Sequence, residues 1–272
     1  MRSLFSFLKS IMPNGVSLRL RLLKAKMVDS DTAAFAKFVN RVVDRNAIAI
    51  DVGANSGLYS AILAKHFDKI VTIEPNPDCV RYMQDALPSN CQIFQCAASD
   101  QSGHAVLRIP MFGGTVETTR ATISDDNTFS SKSPTGFSNI EVITETVDNI
   151  SKDIADDKPV AILKIDTEGH EFAAFLGAER IIAKHKPALC IEIEGQHGVQ
   201  AVKILNKIAD LGYIGIILRE NKFQNDARFS DGRFQEILAD TSTANRYFVH
   251  RNKVGIFPDI ELRRTAETRL AV

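Results

Sequence analysis

The 272-residue chain has no tryptophan, no excess charge of either sign and no long apolar run. Lys and Arg number 33 and so do Asp and Glu, so no overall positive field draws the chain to nucleic acid or to an anionic membrane. No stretch reaches the roughly 18 consecutive apolar residues that a membrane-spanning helix needs. The four cysteines, Cys79, Cys91, Cys96 and Cys190, form neither a CxxC pair nor a zinc-type spacing. They lie in apolar stretches, where a free thiol acts as a small hydrophobe, and predict the reduced thiols of a cytoplasmic protein. The apolar cluster at the N-terminus is broken by Ser6, Lys9 and Ser10 and runs into Pro13-Asn14-Gly15, which argues against a cleaved signal peptide. With 44% hydrophobic residues, the composition is that of a globular chain rather than a disordered one.

Three stretches follow one another. Residues 1–46 read as an N-terminal helical extension, in which Asp31 is the expected N-cap of a helix from Thr32 to about Val43. Within it, residues 2–12 place Leu4, Phe5, Phe7, Leu8, Ile11 and Met12 on one arc of a helical wheel, and residues 1–26 carry six basic side chains and no acidic one. The expected role of that arc is to cover apolar surface of its own domain or of a second copy in a homo-oligomer; contact with an anionic membrane surface is the less favoured alternative. Residues 47–250 form the main domain, interrupted by an insertion at about 111–140, and residues 251–272 form a C-terminal tail.

In the main domain short apolar runs alternate with amphipathic segments. Strands are predicted at 47–52, 70–73, 91–96, 160–165, 188–193 and 213–218, and helices at 58–66, 78–87, 171–185 and 198–210. This alternation predicts an α/β fold, a mostly parallel sheet with helices on both faces. A last strand at 246–250 follows without an intervening helix and is expected antiparallel at the sheet edge. Between Cys96 and Val160 the crossover is too long for a simple helix, and 14 of its 26 positions from Gly113 to Ser138 are Gly, Ser or Thr. Long insertions of this kind either cover sites or wander over the surface.

The strongest local signal is Asp51-Val52-Gly53-Ala54-Asn55-Ser56-Gly57-Leu58, which ends one strand and opens a helix. Small residues there let the backbone approach a ligand closely. Twenty-three residues after Asp51 the next strand ends in Glu74, an acid placed where a nucleoside ribose presents its hydroxyls. Dinucleotide sites usually show G-x-G-x-x-G, which seats a pyrophosphate. Here three residues separate Gly53 from Gly57, and no phosphate-binding G-x-x-x-x-G-K-[ST] occurs.

The combination of Asp51-Val52-Gly53-Ala54-Asn55-Ser56-Gly57 with Ile73-Glu74-Pro75-Asn76-Pro77 and Leu163-Lys164-Ile165-Asp166-Thr167-Glu168-Gly169-His170-Glu171 resembles the FkbM family of S-adenosylmethionine-dependent methyltransferases. Ala98-Ser99-Asp100, Thr146-Val147-Asp148, Gly177-Ala178 and Ile191-Glu192 fit the same pattern. The resemblance implies a class I methyltransferase fold: a Rossmann-like, seven-stranded sheet with six parallel strands and one reversed edge strand. It implies S-adenosyl-L-methionine as cofactor, with Asp51, Gly53, Ala54, Asn55 and Gly57 framing its methionyl part. Glu74 would hold the ribose hydroxyls, and Ala98 and Ser99 would lie against the adenine.

Ligands in open α/β sheets bind outside the carboxyl ends of the strands, where Asp166 and Glu192 end two adjacent strands and His170 follows at the start of a helix. These three are the expected catalytic residues, His170 being equally well explained as a packing or capping residue. A hydroxyl acceptor must lose its proton as the bond to the methyl carbon forms, either to a carboxylate or imidazole or with help from a bound cation. An all-carboxylate cluster would select Mg2+ over zinc. The expected activity is O-methylation of a saccharide or other small metabolite, with a nucleic acid or protein acceptor as the alternative. A non-catalytic module of the same fold would show an eroded glycine loop, and this loop is intact.

Overall fold

In the computed structural model, the described residues are 13–124, 133–155, 158–195, 198–258 and 260. The amphipathic arc at 2–12 and the tail beyond residue 260 lie outside them.

Two helices, α1 (Asn14–Val28) and α2 (Ser30–Val42), precede the sheet. Asp29, not Asp31, caps α2: its carboxylate accepts the Asp31 N–H at 3.0 Å and also bonds the Thr32 hydroxyl. The cap therefore falls two residues earlier than the apolar periodicity suggests. Next come β1 (Ile48–Val52), α3 (Leu58–Leu63), β2 (Lys69–Ile73), α4 (Pro77–Ala86) and β3 (Cys91–Phe94). A long crossover holds β4 (Ala97–Ala98), β5 (Gly103–Phe112), β6 (Thr115–Val116) and β7 (Gly136–Glu145). The chain re-enters the sheet with β8 (Val160–Ile165), α5 (Glu171–Leu176), α6 (Glu179–His185), β9 (Ala188–Glu192), α7 (Gly198–Asp210) and β10 (Tyr213–Arg219). It ends in the sheet with β11 (Lys222–Asn225) and β12 (Asn245–His250).

The main sheet has eight strands in the order β11-β10-β12-β9-β8-β1-β2-β3. β3, β2, β1, β8 and β9 are mutually parallel. β12 runs antiparallel to both β9 and β10, which makes β10 the sixth strand of the parallel set. The reversed strand is thus an interior one rather than the edge strand expected from the sequence. The crossover through α7 leaves one strand's width between β9 and β10, and β12 fills it. The edge belongs to β11, which pairs antiparallel with β10 and adds an eighth strand to the seven expected.

Helices cover both faces, so the central strands are buried on both sides and read as nearly continuous apolar runs. One face packs Phe175, Ile182, Ile204 and Leu205 from α5, α6 and α7. The other packs Leu18 and Leu22 of α1, Phe35 and Phe38 of α2, and Ile62 and Leu63 of α3.

The helix predicted over 171–185 is two helices. The break falls at Gly177, where a Cβ would stand 2.0 Å from the carbonyl oxygen of Ser99, so a continuous helix is exchanged for close contact with the start of the crossover. Asp148 caps the second helix, accepting the N–H groups of Arg180 at 2.8 Å and Ile181 at 3.0 Å.

The crossover itself folds into a second, four-stranded sheet ordered β4-β7-β5-β6. β5 and β7 pair over nine residues, around a small core of Ala97, Leu107, Ile109 and Val142.

Candidate active site

A cleft of about 280 Å³ opens at the carboxyl ends of β1, β2, β8 and β9. The glycine loop forms its floor. Gly53 (φ 73°), Asn55 (φ 50°) and Gly57 (φ 77°) adopt left-handed conformations, and the N–H groups of Gly53 and Ala54 both bond the Ile73 carbonyl. At Gly53 no side chain fits, because a Cβ would meet the carbonyl oxygen of Asp166 at 1.7 Å.

Glu74 braces this loop. One carboxylate oxygen accepts the Asn55 N–H at 2.7 Å and the other accepts the Asn76 N–H at 2.9 Å. Each oxygen keeps a further acceptor site, and the residue lines the cleft. Burial pushes the Glu74 carboxyl up to about 7, against the pull of these two hydrogen bonds.

At the far end of the cleft Asp166, Glu168 and Glu192 each present a carboxylate oxygen, all within 4.8 Å of one another. They do not share one ionisation state. Although burial opposes its charge, Asp166 is held below the usual carboxylate range by the ammonium of Lys164, 2.8 Å away, and by a hydrogen bond with Glu192. Burial and the neighbouring Asp166 push Glu192 well above the usual range. Burial, Asp166 and Glu171 push Glu168 up to about 8.

The turn between β8 and α5 is held by Glu171. Its carboxylate accepts the N–H of Thr167 at 2.9 Å and that of Gly169 at 3.0 Å, which fixes Glu168 at φ 53° and Gly169 at φ 98°.

Most of the residues expected at the site line the cleft: Gly53, Ala54, Asn55, Glu74, Ala98, Asp166, His170 and Glu192. Asp51, Gly57 and Ser99 stand behind its wall. Asp51 is fully buried and accepts the Ser60 hydroxyl at 2.6 Å. Ser99 donates to Asp100 at 3.1 Å, so its 3.0 Å contact with His170 requires the imidazole Nε2–H as donor. Burial holds His170 below its ordinary value, which keeps the ring neutral.

Three groups of residues at the site were not assigned from the sequence. Lys164 is one; the signal was a single charge inside the otherwise apolar strand 160–165. Tyr59 is another: its ring faces the Lys164 ammonium at 4.4 Å and it lines the cleft. The third is the crossover wall of Leu107, Thr118, Thr119, Ala121, Thr122 and Ile123, tied to the glycine loop by the Asn55 side-chain amide, which donates to the Thr118 carbonyl at 2.9 Å.

Residues 51–214 match the Methyltransferase FkbM domain. The chain belongs to the FkbM methyltransferase family. Among solved structures, the methyltransferase FkbM of Methylobacillus flagellatus is 20% identical over 75% of this chain and 44% of its own, with a TM-score of 0.44. The present chain thus spans less than half of that protein. An rRNA methylase of Streptococcus thermophilus is 10% identical over 81% of this chain and 95% of its own, with a TM-score of 0.44. SMU.1697c of Streptococcus mutans, in complex with SAH, is 10% identical over 82% of this chain and 97% of its own, with a TM-score of 0.41. No curated protein matches the sequence. Among the described residues, no helix is long and apolar enough to cross a membrane.

Proposed function

We propose that this methyltransferase uses S-adenosylmethionine and acts on a hydroxyl group, with a saccharide or another small hydroxylated metabolite as acceptor. The observation that carries this is one cleft with two unlike ends. At one end lie a loop that only glycine can form and a carboxylate with spare acceptor sites. At the other lie the adjacent carboxyl groups of Asp166 and Glu192, with the Lys164 ammonium 2.8 Å from Asp166.

The cofactor fits the first end. Gly53 lets the loop pack directly on the Asp166 carbonyl at the cleft floor, and the two Glu74 oxygens match the paired hydroxyls of a ribose. Ala98 also lines the cleft, a small apolar residue suited to the flat face of a base. S-adenosylmethionine supplies an electrophilic methyl group when bound.

The second end does the acid–base work. An alcohol is a poor nucleophile until its proton begins to leave, and the Asp166–Glu192 pair can accept that proton within hydrogen-bond reach. As the acceptor oxygen bonds the methyl carbon, the carbon–sulfur bond breaks and its electrons stay on sulfur. The acceptor proton passes to the Asp166–Glu192 pair and from there to water. Positioning contributes much of the rate in such a displacement, since the oxygen must lie in line behind the methyl carbon. The crossover wall sets Thr118, Thr119 and Thr122 along the cleft, residues that suit a polar acceptor.

Mass spectrometry of small-molecule pools incubated with protein and S-adenosylmethionine tests the proposal. It stands if a hydroxylated species gains one methyl group, and falls if methylation appears only on nucleic acid or protein.

A further inference from the structure

A row of polar side chains crosses the main sheet beneath the cleft. Thr72, Asp51, Lys164, Cys190 and Tyr247 are lateral neighbours in register on β2, β1, β8, β9 and β12. Every one of them is buried. Ser60 of α3 covers one end, 2.6 Å from Asp51 and 3.0 Å from Thr72. Tyr59 and Asn245 cover the other: the Asn245 amide donates to the Tyr59 hydroxyl at 3.3 Å, and the Cys190 thiol donates to Asn245 at 3.4 Å. Lys164 is the one cation in this row and is 1% exposed.

A buried ammonium is costly unless paired. Here its near partner is Asp166, two residues on and just past the end of the same strand, at 2.8 Å. Asp51 stands farther off at 3.9 Å, with that oxygen unpaired. A structural ion pair would be served by Asp51 alone. Instead the ammonium lies closer to the carboxylate that reaches the cleft, 23% exposed and beside Glu192.

We propose that Lys164 is a positioning residue of the transfer reaction: its buried ammonium, 2.8 Å from the cleft-facing Asp166 carboxylate, fixes the direction in which that carboxylate meets the acceptor. This rests on the acid–base role given to that pair above. Lys164 is not among the residues that line the cleft, so it acts through Asp166. Without the ammonium, the Asp166 carboxylate would lose the ion pair that holds its direction.

The test uses Lys164→Met in the full chain, with the double variant Asp51→Asn/Lys164→Met in reserve, because the single change strands the Asp51 charge. Three quantities are compared with the parent protein: S-adenosylhomocysteine affinity by calorimetry, the Asp166 carboxyl carbon resonance in a 13C-labelled sample (assigned with Asp166→Asn), and transfer of tritiated methyl into a small-molecule extract at saturating S-adenosylmethionine. The expected result is nearly unchanged affinity, a displaced Asp166 resonance at neutral pH, and transfer lowered by about a hundredfold, the scale of a lost general base. Partial return of the rate in Lys164→Arg would mark the charge as the active feature. An Asp166 resonance that stays in place, or a displaced one with undiminished transfer, overturns the proposal. If the parent protein itself transfers no methyl, the proposed function falls separately, and the Asp166 resonance still decides whether Lys164 controls that carboxyl.

Discussion

A Cβ built on Gly53 would lie 1.7 Å from the carbonyl oxygen of Asp166. The glycine loop and the acidic rim are therefore in direct backbone contact, and the Asp166 N–H also bonds the Val52 carbonyl. The two ends of the cleft cannot shift independently.

Gly53→Ala should accordingly damage both ends at once. Its left-handed φ alone costs an alanine on the order of 1–3 kcal/mol, and the clash with immovable backbone adds to that. We expect a lowered urea midpoint together with lost S-adenosylhomocysteine binding. Unchanged binding in a stable variant would show that the loop tolerates a side chain.

Glu74 predicts a pH dependence of cofactor binding. Its carboxyl is pushed up to about 7 by burial, and ribose hydroxyls donate best to the charged form. The protonated form must lose its proton before it can accept both, so affinity for S-adenosylhomocysteine should rise as pH increases through about 7 and level off above. In Glu74→Gln this slope should vanish. In Glu74→Ala the affinity should fall by an amount set by two charge-assisted hydrogen bonds, each worth about 1.5–3 kcal/mol. Calorimetry between pH 6 and 8.5 reads all three.

The parts of this site that were legible in the sequence are those written in consecutive residues. Asp51 to Gly57 and Glu74 stand at the ends of strands that apolar runs mark clearly, and the fixed order of strand, loop and helix sets Gly53, Ala54, Asn55 and Glu74 in the cleft lining. What escaped depends on pairings between distant segments. The position of β12 inside the sheet follows from how α7 spans β9 to β10, which no local pattern records. The strands β5 and β7 do alternate, as in Ala105, Leu107 and Ile109 facing the small core, but the Gly, Ser and Thr residues between them masked the signal. Lys164 looked like one charge in an apolar strand; its near partner Asp166 stands only two residues on, but the register that also sets it beside Asp51 is not written locally.

Asp148 offers a test of the fold apart from the cleft. Its carboxylate accepts the N–H groups of Arg180 and Ile181, two donors that α6 would otherwise leave unpaired at its start. Asp148→Ala should cost about 1 kcal/mol, the usual loss for an N-cap, and lower Tm by about 2–4 °C in a chain of this size. Cofactor affinity should stay as it is, because α6 lies outside the cleft lining. A variant as stable as the parent would mean that water replaces the cap at no cost.

The acid pair separates binding from chemistry. Asp166→Asn keeps the shape of the rim and removes the carboxylate that Lys164 holds, and Glu192→Gln keeps the shape and removes the second carboxyl of the pair. Both should bind S-adenosylhomocysteine as the parent does and lose methyl transfer by about 100-fold or more. Full activity in both variants would sink the assignment. The same carboxyls, with Glu168, are the set that could hold Mg2+, so a chelator discriminates between the two ways of activating a hydroxyl. Lys164 already places a positive charge 2.8 Å from Asp166, which opposes a second cation at the same carboxylate. We therefore expect transfer to survive EDTA. Loss of activity on chelation, restored by Mg2+ alone, would instead make Asp166, Glu168 and Glu192 ligands, with the metal doing what the proton-sharing pair is assigned here.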